Sequence, residues 1–273
     1  MVFYKTTEQI EQLRRAALLV SLTHTEVAKE IRPGRPTTEL DAIAETIIRD
    51  HGAEPAFKGY QGFPWTLCIS KNEQVVHGMP SKDPIKEGDV LSIDCGVKLD
   101  GYYGDSAYTF LVGEAAEEVV SLLVATKESL WKAIDMAIAG NRMGDIGYAV
   151  QQHTEKERGY GVVRDLVGHG IGRSLHEDPQ VPNYGHRGRG IKLQAGLVLA
   201  IEPMINLGTR DVEQLNDGWT IVSADGKPSA HYEHTVAVGK GQADVLSSFE
   251  SIEEAERNNP DLAIIETTLT LNG

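Results

Sequence analysis

Four carboxylates and one imidazole recur in short apolar frames along this chain: Asp94 in LSIDCG, Asp105 in YYGDSAY, His169 in VGHGIG, Glu202 in LAIEPM and Glu233 in AHYEHTV. Such frames make buried strands or their edges. A carboxylate drawn into a hydrophobic strand is costly unless it is paired or coordinated to a cation. One such residue is compatible with a core ion pair. Four carboxylates and a histidine, with no run of basic residues nearby to neutralise them, point to bound divalent metal. The donor count exceeds the three protein ligands and a water of a single catalytic zinc. It suits two cations sharing bridging carboxylates and activating a water between them.

The elements that must hold these donors are legible in the pattern. Thr6 or Thr7 caps a first helix with Ile10, Leu13, Ala17, Val20 and Val27 at helical spacing, stopping before Pro33-Gly34. A second helix begins after Thr38 and ends at Gly52. Two more are predicted at about 115–139 and 143–158, the latter ending at Gly159. The two helix pairs resemble each other, a faint internal repeat. Strands are predicted near 66–70, 90–98, 102–111, 198–201, 220–222 and 231–238, and Asp100-Gly101 is a strong hairpin turn. A two-residue loop there pairs Leu99 with Tyr102 and Asp94 with Ala107, so Asp94 and Asp105 become diagonal neighbours on one face, roughly 7–8 Å apart by backbone.

The 273 residues suffice for a full core, and 41 % hydrophobic with 24 % charged residues is the composition of a soluble globular protein. A formal net charge of −14 disfavours a nucleic-acid partner, which needs clustered Lys and Arg. The locally basic GHRGRGIK, 185–192, reads as a solvated loop. Two cysteines form no disulfide framework. The N-terminus lacks a signal-peptide layout and no apolar run approaches a membrane span, so a cytoplasmic protein without a membrane partner is expected. The acidic, polar stretch after 239 is expected to be a surface extension carrying at most one short helix.

The most specific segment is GHGIGRSLHEDPQVPNY, from Gly168 to Tyr184, with glycines around His169 and a second histidine at His176. Together with NEQVVHGMP, IDCGVKLDGYYGDSAYTF, IEPM and YEHTV, it resembles the type I, bacterial-like methionine aminopeptidases, from about residue 5 to 239. Leu166 and Leu175 depart from the residues more usual in that family, and Leu175 bears on the shape of the substrate pocket. The resemblance implies an α+β pita-bread (creatinase/aminopeptidase) fold of two pseudo-symmetric halves, with helices packed on a curved antiparallel sheet. It would occupy residues 1–240 as a single catalytic domain, leaving 241–273 as an acidic C-terminal extension.

Position by position, the resemblance implies that Asp94, Asp105, His169, Glu202 and Glu233 hold two metal ions, with Asp105 and Glu233 bridging. It makes His77 and His176 substrate-contacting, and places Tyr60, Phe63, Cys68 and Trp219 in a methionine pocket. Glu202, His176 and His77 are then the expected catalytic residues. Oxygen-rich donors with one imidazole accept Co, Mn, Fe or Zn without selecting one. By strand alternation His234 and Cys95 face away from the site. The implied activity removes the initiator methionine from nascent polypeptide N-termini when the second residue is small, by a monomer in transient contact with the ribosome. A proline-directed peptidase of the same fold, and a non-catalytic relative, are the alternatives. The former usually carries a further N-terminal domain, and the latter would be expected to have lost ligands.

Overall fold

The computed structural model describes residues 2–267. Thr6 opens α1 (Thr7–Ala28) through a capping box. Its hydroxyl accepts from the Gln9 N–H, and the Gln9 side chain accepts from the Thr6 N–H. The stripe Leu13, Ala17, Val20 and Val27 is buried. After α2 (Thr37–Asp50) come β1 (Leu67–Lys71), β2 (Val90–Leu99) and β3 (Tyr102–Val112). Asp100 and Gly101 both take left-handed φ, 50° and 80°, as a two-residue hairpin loop of the favoured twist requires. Leu99 therefore pairs with Tyr102, Asp94 with Ala107 and Gly96 with Asp105, the expected register. α1 lies against this hairpin so closely that a Cβ on Gly104 would sit 2.4 Å from the Ala17 nitrogen. Only glycine permits that approach.

Of the second helix pair, the first helix is shorter than the periodicity predicts, whereas the second is helical over its predicted extent, 143–158, and ends before Gly159. α3 spans Glu117–Ile134 and α4 spans Met143–Gln151, continuing as a wider π turn over Gln152–Lys156. In that turn and just after it, His153 and Arg158 both reach the buried Glu128 carboxylate on α3. The π turn thus coincides with a buried polar contact across to α3.

Beyond α4 lie β4 (Gly168–Gly170), β5 (Glu177–Val181), β6 (Val198–Ile201), β7 (Met204–Asn206), β8 (Ser229–His231) and β9 (His234–Ala237). The continuous strand predicted over 231–238 is broken at Tyr232 and Glu233. β8 pairs with β7, whereas β9 pairs with β6. The break arises because the Glu233 N–H donates to the Ala107 carbonyl on β3, and its own carbonyl accepts from Ser106 Oγ. Two five-stranded antiparallel sheets result. One is built on the β2–β3 hairpin with β1, and the other runs Asp244–Val245, β9, β6, β4, β5. The two sheets meet where β3 passes the segment 231–235.

The acidic segment from 241, expected as a surface extension, is folded into the body. Asp244–Val245 pairs with β9, and Leu262–Ala263 pairs with the edge of β3. Between them α5 (Glu250–Asn258) buries Ile252 and Ala255, in the core that also holds Val20 and Val27 of α1. Its polar composition conceals apolar residues at helical spacing, with Leu246 and Phe249 also buried. Residues 268–273 of that expected extension lie outside the described residues. Among the described residues, no helix is long and apolar enough to cross a membrane.

Candidate metal centre

Asp94 and Asp105 enter the site from opposite strands of the hairpin, and Glu233 from the break between β8 and β9 that crosses it. His169 and Glu202 come from the second sheet. His169 is carried by β4, whose passage is tight: a Cβ on Gly168 would lie 2.4 Å from the Ala200 carbonyl and 3.2 Å from Glu202 Cγ. Ligand-type atoms of Asp105, His169 and Glu233 all lie within 4.8 Å of one another. His169 Nε2 is 3.7 Å from Asp105 Oδ2 and 3.6 Å from Glu202 Oε1. These gaps are too long for hydrogen bonds, and two donors at about 2.1 Å from a shared ion span them.

Three oxygens, Asp94 Oδ1, Asp105 Oδ1 and Glu233 Oε1, are buried with no hydrogen-bond partner among the described residues. Burial pushes the Asp94 carboxyl up to about 7 and the Glu202 carboxyl to about 8. Asp105 and Glu233 are raised well above the ordinary range, by burial first and then by the other carboxylates around them. Burial also lowers His169 to about 4, so its ring is neutral. Its Nδ1–H donates to the Gly170 carbonyl at 2.9 Å, which leaves the Nε2 lone pair facing the carboxylates. Orphaned hard oxygens beside an oriented neutral imidazole are the donor set of a divalent cation.

A cavity of about 200 Å³ adjoins these donors. Tyr60, Phe63, Cys68, Leu175 and Trp219 line it together with Asp94, Asp105, His169, Glu202, Glu233, His77 and His176. The Phe63 and Trp219 rings meet edge to face at 5.1 Å. Tyr60 Oη and His176 Nδ1 are 2.8 Å apart, and the His176 ring stands 4.3 Å from that of His169. His77 adopts φ 57°, a backbone region uncommon for a residue with a side chain, and burial lowers its ring to about 4. A wider cleft of about 600 Å³ opens from the same histidines, with Phe3, Leu166 and Gln180 along its walls.

His234 and Cys95 lie away from the cluster. His234 bonds Ser247 Oγ at 2.7 Å and stacks on Phe249 at 3.7 Å, and Cys95 is core. One residue at the centre was not predicted. His231 lines the wide cleft, with Nε2 3.6 Å from Glu202 Oε2. The alternation that turns His234 away from Glu233 brings His231, two residues before it, to the same side. That signal was available in AHYEHTV.

Residues 11–240 match the model of metallopeptidase family M24, and the chain belongs to that family of metal-dependent peptidases. A methionine aminopeptidase of Clostridium perfringens is 51 % identical over 90 % of this chain and 99 % of its own length. The crystal structure of a methionine aminopeptidase from Thermotoga maritima superposes with a TM-score of 0.89 at 43 % identity, covering 91 % of this chain and all of that one. A prolidase from Pyrococcus furiosus shares the architecture at 25 % identity and a TM-score of 0.73, but this chain covers only 66 % of it. The fold is the pita-bread fold of these peptidases.

Proposed function

We propose that this enzyme removes the N-terminal methionine of newly made polypeptides whose second residue is small. The single observation that carries the reading is the cavity in which an aromatic, thiol-bearing pocket and the five donors share one wall. In it, Asp94, Asp105, His169, Glu202 and Glu233 would hold two divalent ions, Co, Mn, Fe or Zn. When bound, such ions supply the Lewis acidity that makes water nucleophilic near neutral pH and polarises a carbonyl.

The chain's own groups do the rest. Tyr60, Phe63, Cys68 and Trp219 enclose the methionine thioether, which fixes the scissile carbonyl over the donors. Glu202 accepts the proton of the attacking water and passes it toward the departing amine. His176, oriented by the Tyr60 hydroxyl, and His77 hydrogen-bond the carbonyl oxygen and the scissile amide as charge develops. The identity and near-complete coverage of the Clostridium perfringens relative support this reading over a proline-directed one. The same reading assigns every catalytic residue to 1–240, in a cytosolic monomer that meets nascent chains, transiently, at the ribosome.

The test is cleavage of Met-Ala-Ser peptides by metal-stripped protein reconstituted anaerobically with each ion in turn. Release of methionine only after metal is restored is the expected result. Release without metal, or preferential cleavage of Xaa-Pro peptides, would overturn the reading.

A further inference from the structure

His231 is 2 % exposed, and its Nε2 has no hydrogen-bond partner among the described residues. A buried ring nitrogen left in that state is costly, so its placement calls for a partner. The nearest charged group is Glu202, whose two oxygens face two different imidazoles: Oε1 lies 3.6 Å from His169 Nε2, and Oε2 lies 3.6 Å from His231 Nε2. The compact donor cluster contains His169, Asp105 and Glu233 but not His231. Glu202 therefore stands between the cluster and His231.

The backbone holds this arrangement firmly. His231 ends β8, and its N–H and carbonyl both bond Thr109 Oγ1 on β3, at 3.1 and 2.6 Å. It is paired in register with Met204, two residues beyond Glu202. Glu202 lies in the short link between β6 and β7, just ahead of the residue that pairs with His231. A movement of about half an ångström brings Nε2 and Oε2 within N–H···O bonding range.

We propose that His231 is a positioning residue for Glu202. Its Nε2–H donates to Oε2, which leaves Oε1 facing His169, where it would serve as a metal donor. The inference rests on the metallopeptidase reading and adds a residue outside the five ligands. A ligating carboxylate whose outer oxygen is already held binds its cation more tightly, because its orientation is set in advance.

The experiment measures cobalt binding to the full chain without substrate, by calorimetry and visible absorption, for the unaltered protein, His231→Gln and His231→Leu. Gln keeps an N–H donor, and Leu fills the space without one. Circular dichroism confirms folding, and His231→Asn, whose shorter amide falls short of Glu202, replaces the Leu variant if that one does not fold. The Leu variant should bind cobalt about 10–100-fold more weakly, while the Gln variant stays close to the unaltered protein with the same absorption bands. Equal affinity in all three overturns the inference. Equal loss in Gln and Leu variants, with bands shifted as for a missing nitrogen donor, also overturns it, because His231 would then be a ligand itself. An unaltered protein that binds no cobalt overturns the metallopeptidase reading, and this inference with it.

Discussion

The backbone N–H of Glu233 donates to the carbonyl of Ala107 at 2.9 Å, across the gap between two sheets. Ser106 Oγ returns a bond to the Glu233 carbonyl at 2.6 Å, and Thr235 Oγ1 donates to the Asp105 carbonyl at 2.7 Å. Asp105 and Glu233, the two proposed bridging carboxylates, are thus mounted on one stitched pair of segments. Their separation is set by this stitching, one backbone bond and two bonds from the Ser106 and Thr235 hydroxyls.

From that mounting, Asp105→Asn or Glu233→Gln should abolish turnover and paired metal binding while the fold persists. An amide offers one neutral acceptor oxygen where a bridge needs two anionic ones. The metal-free variants should melt no lower than the parent, since each loses a buried carboxylate crowded by others. Metal analysis and thermal melts check this. Two tightly held ions with near-normal turnover in either variant would rule out bridging.

His176→Ala should lower kcat by about 10²–10³-fold, the cost of one hydrogen bond to a developing oxyanion. Metal content should stay the same, because the His176 ring is held by the Tyr60 hydroxyl and stands beside His169. Activity that returns on adding excess metal would make His176 a ligand instead.

Substrate choice should follow the cavity. An apolar pocket separates side chains differing by one methylene by only about 1–3 kcal/mol, so N-terminal norleucine should be cleaved tolerably, whereas Lys or Asp would be desolvated and refused. At the second position Gly, Ala, Ser, Thr, Pro, Cys and Val should pass, and Leu, Phe and Lys should not. A panel of peptides varied at the second residue decides it: comparable cleavage of Met-Lys and Met-Ala would indicate a broad aminopeptidase.

Phe249→Ala should cost about 3–5 kcal/mol, the usual loss for a buried phenylalanine. Phe249 is 4 % exposed, stacks on His234 and meets Tyr108 edge to face at 4.9 Å. Urea denaturation measures it. A loss within experimental error would mean that the segment beyond 241 is only laid on the surface.

Burial raises Glu256 to about 7 from an ordinary 4.5, against the opposing pull of Lys127 and a bond from the Tyr108 hydroxyl, with Glu253 adding to the rise and Arg257 countering it. With the folded value above the unfolded one, the contribution is fully present below 4.5 and is lost as pH rises toward 7. Glu256→Gln should remove that slope, which amounts to at most on the order of 3 kcal/mol. Denaturation midpoints of parent and variant across the window test it, and parallel curves would count against the shift.

What the sequence determined by itself was local. The hairpin register followed from Asp100-Gly101, because only residues tolerant of left-handed φ close a two-residue loop. That register alone put Asp94 and Asp105 on one face. The five apolar frames marked their acidic and imidazole residues as anomalous, since an unpaired carboxylate does not enter a strand without a partner. Tertiary structure decided what depends on distant segments. The strand over 231–238 broke because the Glu233 N–H found a better acceptor on β3 than its own ladder offered, and alternation cannot anticipate that competition. The acidic tail became part of the core because a few apolar side chains, spaced for a helix, outweighed its polar average once α1 and β3 offered surfaces to cover. His231 carried the right alternation in AHYEHTV, but only the pairing of β7 with β8 brought its ring to Glu202, because register between strands far apart in the chain is set by packing.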